Sequence, residues 1–262
     1  MTTQQFLLSG WTWNPAVLVI GAAALAAYLA AFRVQKRLWF FIVALGVFLL
    51  ALISPIQALA DGYLFSAHMA QHILLLLIAP ALLLMSLPRS ISLPALPGFL
   101  KKLAHPVAGW AAGVGAMWIW HAPALCNSAV SSKPVFALQT FSLLALGGAF
   151  WWQILAPRDS QRLAPLTAVL YLASSCVACS ALGIIFTFSP VTVCSIYAHA
   201  ADRLGMLATI RDGWGITPEK DQQLGGLLMW VPMCLVYLGA VFAQLARWFG
   251  EPAPVSFRTE NA

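Results

Sequence analysis

The residues with the most chemical potential are in Ala67-His68-Met69-Ala70-Gln71-His72, which opens an apolar run ending at Ala79-Pro80. Histidines at i and i+4 stand one turn apart on the same face of a helix. A neutral imidazole is polar, and burying it in hydrocarbon is costly without a partner. A metal ion satisfies several such rings at once, and imidazole suits Cu, Zn or Fe. A third imidazole, His121, follows the apolar Trp118-Ile119-Trp120. Softer donors are at hand: Met69 beside the pair, Cys126 beyond His121, and Met229 near the start of the last apolar segment. Thioether or thiolate beside imidazole favours Cu(I) over Mg or Ca. The candidate metal set is therefore His68, His72 and His121, with Met69, Met229 and Cys126 as possible additional ligands. Asp61 and Asp221 are carboxylates suited to accept ring N–H groups and orient the histidines.

The scaffold that positions these residues is read from composition. Of 262 residues, 61% are hydrophobic and 8% charged, against roughly 25% charged in an ordinary soluble domain. Such a chain cannot cover itself with polar surface in water, so the expected fold is all-α, a polytopic membrane bundle. A span needs about 20 mostly apolar residues. Seven segments qualify, near 15–32, 38–53, 63–87, 106–121, 134–156, 164–188 and 224–249, forming one domain over 1–262. Prolines mark most of their ends. Pro80 and Pro232 fall inside spans and are expected to kink them. Met1-Thr2-Thr3-Gln4-Gln5 has no basic stretch before the first apolar run. A cleaved signal peptide is therefore not expected, and the first span should persist.

Lys and Arg set the expected orientation. One set of loops holds Arg33, Lys36, Arg37, Arg89, Lys101, Lys102, Arg158, Arg162, Arg247 and Arg258; the other holds Lys133, Arg203, Arg211 and Lys220. This bias places the N-terminus outside and the C-terminus in the cytoplasm. His68, His72, His121 and His199 then gather at the outer face, and His105 is cytoplasmic. Tyr63, Trp120, Trp214 and Trp230 outside, and Trp39, Trp110 and Trp248 inside, are expected as interfacial belts.

Blander roles are weighed beside these. An interfacial histidine pair can simply hydrogen-bond across helices. His199 reads as a solvated loop residue. Methionines fill cores more often than they bind metal. Five cysteines form an odd set without framework spacing, so the fold is not expected to rest on disulfides. Cys176 and Cys179 read as small packing residues, and Gly109-x-x-x-Gly113 fits a close helix approach. The formal charge of +6 comes from scattered residues, with no run suited to tracking nucleic acid. No P-loop, Gly-x-Ser-x-Gly or His-Glu-x-x-His is present.

Three stretches together, Ala67-His68-Met69-Ala70-Gln71-His72, Trp118-Ile119-Trp120-His121-Ala122-Pro123 and Asp221-Gln222-Gln223-Leu224-Gly225-Gly226-Leu227-Leu228-Met229-Trp230, resemble the multi-spanning CtaG-type cytochrome c oxidase assembly factors. The seven-span layout is similar too. An unrelated single-span copper chaperone family shares the CtaG name, and this chain does not look like it. The resemblance implies a bacterial inner-membrane protein, not an enzyme, that helps mature a haem–copper oxidase at the step delivering copper. Its partners would be oxidase subunits, a copper donor protein at the outer face, and membrane lipid. The family's histidine positions match His68, His72 and His121, and its Asp-Gln-Gln motif matches Asp221, Gln222 and Gln223. Those three would orient the histidines or meet the partner. Two alternatives stand beside this reading: a haem-binding electron carrier with axial histidines, and a metal-free structural partner.

Overall fold

The structure, a computed structural model, describes residues 1–89, 91 and 105–250. Lys101, Lys102 and Arg258, counted above among the cytoplasmic charges, lie outside the described residues. All regular structure among the described residues is helical. In chain order these are α1 (Thr3–Ser9), α2 (Pro15–Phe32), α3 (Leu38–Ile53), α4 (Pro55–Ala60), α5 (Phe65–Ser86), α6 (Pro106–Trp120), α7 (Pro123–Ser131), α8 (Lys133–Leu155), α9 (Pro165–Phe188), α10 (Ser195–Ala198) and α11 (Pro218–Gly250). Among the described residues, five helices, α2, α5, α8, α9 and α11, are long and apolar enough to cross a membrane. α3 has 16 residues and α6 has 15, so they rise only about 22–24 Å.

Local sequence explains the boundaries. Proline stands in the first turn of α2, α4, α6, α7, α8 and α9, where its missing N–H costs nothing. Asn14 and Ser54 cap α2 and α4 by accepting the backbone N–H of Ala16 and Ile56. At Pro80 the backbone departs from regular α-helix. The helix widens into a π turn at Leu74–Ile78, directly before Pro80. Pro80 has no N–H for the carbonyl of Leu76, one helical step back. Gly147 of α8 lies against that carbonyl, so closely that a Cβ there would collide with it. α11 runs unbroken through Pro232 for 33 residues. It begins earlier than the apolar pattern implied, and so takes Asp221 and Gln222 into its first turns.

α5 is the central helix. Half of its apolar window is buried inside the bundle, against 11% for α2. α11 packs along both α9 and α5, and α8 lies against α5 and α6. The Gly109 and Gly113 pair is used as expected: added Cβ atoms would meet the Ala149 carbonyl at 2.9 Å and Phe150 Cβ at 2.7 Å. Two belt assignments are corrected. Tyr63 is buried, its hydroxyl donating to Asp202 and accepting from the Leu204 N–H. Trp120 is buried, its indole donating to Ser142. Both indole and phenol can be interior when the polar tip finds a partner. Trp39 and Trp248 are exposed.

The expectation about disulfides is also corrected. Cys126 of α7 is bonded to Cys194, just before α10, closing a separation of 68 residues. Cys179 is buried beside the Tyr237 hydroxyl at 3.8 Å, and Cys176 meets Cys234 across the α9–α11 seam. A closed loop of this length stabilises a fold by about 4 kcal/mol in the chain-entropy account. Peptide mapping without reductant should recover the 126–194 link, and reduction should lower the unfolding temperature in detergent. Alkylation of both residues in native, unreduced protein would refute the link.

Candidate metal centre

Three helical segments build the site. α5 begins at Leu64, whose own side chain offers no cap. Its first N–H groups are satisfied instead from α11: the Asp221 carboxylate accepts from Phe65 N–H at 2.6 Å, Ser66 N–H at 3.0 Å and Ser66 Oγ at 2.6 Å. Gly225, one turn further along α11, admits the Phe65 ring and Met69, where a Cβ would clash. His68 and His72 then rise from a fixed helix start. His121 closes α6 from its C-cap position.

The three histidines are buried and in ring contact. His68 and His72 have centroids 4.6 Å apart, and His72 and His121 4.9 Å. Their donor atoms fall into two pairs. His68 Nε2 faces His72 Nε2 at 3.1 Å, and Gln139 Nε2 lies 3.5 Å from His68 Nε2. One hydrogen serves the His68–His72 contact, and whichever ring supplies it, His72 Nδ1 has no hydrogen-bond partner. In the second pair, His121 Nδ1 lies 2.5 Å from the Met117 carbonyl and Nε2 lies 2.9 Å from Met69 Sδ. A carbonyl only accepts, so Nδ1 carries the proton. In the neutral ring Nε2 is then a bare lone pair, and it faces a thioether that has no hydrogen to give. Two lone pairs therefore face each other with no hydrogen between them.

These side chains fit a soft monovalent ion by chemistry: three imidazoles, a thioether, one orphaned ring nitrogen, and no carboxylate among them. No group of three His, Cys, Asp or Glu side chains among the described residues is assembled around one point for an ion. The donors stand as the His68–His72 and His121–Met69 pairs. Cys126 offers no thiolate here, because it is bonded to Cys194. Met229 is buried in the apolar core. Asp61 is exposed and pairs with Arg203 at 3.3 Å. His199 is exposed, as expected of a loop residue.

Two residues of the Asp-Gln-Gln stretch have distinct roles. Asp221 caps α5 and touches no histidine ring in a hydrogen bond. Gln222 accepts from the Val193 N–H at 2.8 Å and donates to the Val191 carbonyl at 3.0 Å, which ties the segment after α9 to α11. Gln223 is exposed. Sequence reasoning missed Gln139, Gln71 and Tyr197. Gln71 donates to the Ala51 carbonyl at 2.6 Å and to Gln57 at 2.7 Å. Tyr197 sits over Phe65 and His68, its hydroxyl donating to the Ala60 carbonyl at 2.9 Å. A glutamine within an apolar span is itself a signal, because it needs a partner there.

The family model for the cytochrome c oxidase caa3 assembly factor (Caa3_CtaG) matches residues 16–251, including every residue of the two donor pairs. The chain belongs to this family. It is also 24% identical over 218 residues to "Uncharacterized protein ML1998" of Mycobacterium leprae (strain TN), a match covering 76% of this chain and 32% of that protein. The chain thus spans about a third of the length of that relative. No solved structure matches it.

Removing the α5 cap isolates its contribution. Asp221→Ala leaves two backbone N–H groups unpaired and should cost about 2 kcal/mol or more. Asp221→Asn, which keeps one acceptor oxygen, should cost less. Thermal unfolding in detergent measures both, and a wild-type curve for Asp221→Ala would refute the assigned role.

Proposed function

We propose that this protein is a bacterial inner-membrane assembly factor that holds Cu(I) and passes it toward a haem–copper oxidase. The observation that carries the reading is the bare His121 Nε2 facing Met69 Sδ beside the His68–His72 pair. Imidazole and thioether together prefer Cu(I) to harder ions. Two donor pairs with no closed cage suit ligand exchange, whereas a closed four-ligand set suits permanent retention. Asp221, Gln222 and Tyr197 would hold the helices that carry the donors. Oxidase subunits would receive the metal and a donor protein at the outer face would supply it. The protein would be no enzyme, since its work is binding and release.

The reading includes seven spans, with α3 and α6 as the two short ones and the histidines at the outer face. Charge supports this orientation. Burial pushes the Arg162 guanidinium down from its usual value, Asp159 opposes the shift, and the positive charges of Arg247, Arg89 and Arg37 add to it. These arginines therefore share one end of the bundle, as the cytoplasmic side of such proteins requires. The haem alternative needs two histidines facing one large cavity. The cavity of ≈ 570 Å³ beside the site is lined by His68, whereas His72 and His121 are packed ring against ring away from it. This favours copper.

Metal content after Cu(I) loading under reducing conditions, in detergent, tests the reading. About one copper per chain is expected. His68→Ala with His72→Ala should abolish it, as should His121→Ala, and cells carrying either variant should accumulate copper-poor oxidase. Copper-free wild-type protein beside normal oxidase assembly in the variants would leave only the structural reading.

A further inference from the structure

The ≈ 570 Å³ cavity lies between α2, α3, α4, α7 and α8. Its mouth and floor differ in chemistry. Asn14, Asp61 and Lys133 line it and are exposed; they stand at the N-terminal ends of α2 and α8 and in the turn before α5. At the inner end are His68 and Thr140, both more than nine-tenths buried. The Thr140 hydroxyl has no hydrogen-bond partner. Of the three histidines only His68 lines the cavity. The other side of the cluster is covered, since Tyr197 lies over His68 and Phe65 and is held by the Ala60 carbonyl and by Arg211.

We infer that this cavity is the water-filled access route for a soft monovalent cation, that His68 is the first protein ligand the ion meets, and that the ion then moves by exchange to His72 and on to His121 and Met69. The inference rests on the Cu(I) reading and adds a direction to it. The ring contacts supply the order: His68 to His72 at 4.6 Å, then His72 to His121 at 4.9 Å, whose Nε2 meets Met69. Asn14 and Gln57 also line the cavity, their side-chain oxygens accepting from the Ala16 N–H and from Gln71.

A route and a ligand differ kinetically. Narrowing a route slows arrival and departure by the same factor and leaves affinity unchanged; removing a ligand changes affinity. Ala137 lines the cavity and is exposed, so it serves as the probe. Ala137→Cys should react with a charged, water-soluble thiol reagent above the wild-type background, a result that needs no copper. Attaching a bulky maleimide to the thiol of that variant after folding should slow Cu(I) uptake from, and release to, a chromophoric chelator by roughly tenfold, with Kd unchanged. Ala137→Trp should behave alike. The inference is overturned if the charged reagent fails where an apolar one succeeds, or if copper exchanges at the wild-type rate through the blocked cavity. Labelling of the Ala137→Cys variant by the charged reagent, with no copper bound by the wild-type chain, would instead defeat the copper reading, and with it the cargo assigned to the cavity.

Discussion

The site depends on one hydrogen-bonded carboxylate. α5 starts at a residue that cannot cap it, and its first free N–H groups point into the bundle where no water replaces a missing acceptor. Asp221 provides that acceptor from a helix 155 residues further along the chain. The carboxylate also places negative charge at the positive end of the α5 dipole. In surroundings of low polarity such bonds are stronger than in water. The result is a fixed register between α5 and α11. With that register set, Phe65 falls opposite Gly225 and stacks on Phe186 at 5.2 Å, and Phe186 in turn meets the His121 ring at 5.4 Å. The cap thus reaches the histidines through packing, without touching one.

A second set of restraints holds the segment over the cluster. The link between Cys126 and Cys194 joins α7 to the stretch before α10, and Gln222 ties the residues just before it to α11. Arg211 donates to the Tyr197 and Ile216 carbonyls. Each hydrogen bond is modest alone. Together they fix Tyr197 against Phe65 and His68, so the histidine cluster is shut on that side and open on the side of α2 and α8. α2 is the least buried of the spans. The bundle is therefore most heavily cross-braced where it positions donors and least buried where it borders the cavity.

Much of this was legible in the sequence. The bounds near 15–32, 38–53 and 164–188 follow from apolar length and flanking proline, and they agree with α2, α3 and α9 to within a residue. His68, His72, His121 and Met69 were legible because polar or soft side chains at the mouth of an apolar helix stand out. What stayed hidden depended on distance along the chain. The Cys126–Cys194 link was obscured by an odd cysteine count and a 68-residue gap. Asp221 was singled out, but as a partner for histidine rings; its acceptance of α5 backbone N–H groups follows from how α11 docks, which no local pattern encodes. Tyr63 and Trp120 read as belt residues because side-chain type alone does not reveal that Asp202 and Ser142 satisfy their polar tips inside.

The spacing of the donors bears on what the site can do. A closed set of four ligands lowers the energy of a bound ion in one place and raises the barrier to leaving it. Here the nearest donor contacts, at 3.1 Å for His68 with His72 and 2.9 Å for His121 with Met69, form two adjacent low-coordinate positions along a line of touching rings. On the proposed reading, an ion moving between them breaks one bond as it forms another, so no step passes through a bare ion in an apolar interior. The thioether at the far end is neutral and soft, and offers a weaker hold than a thiolate.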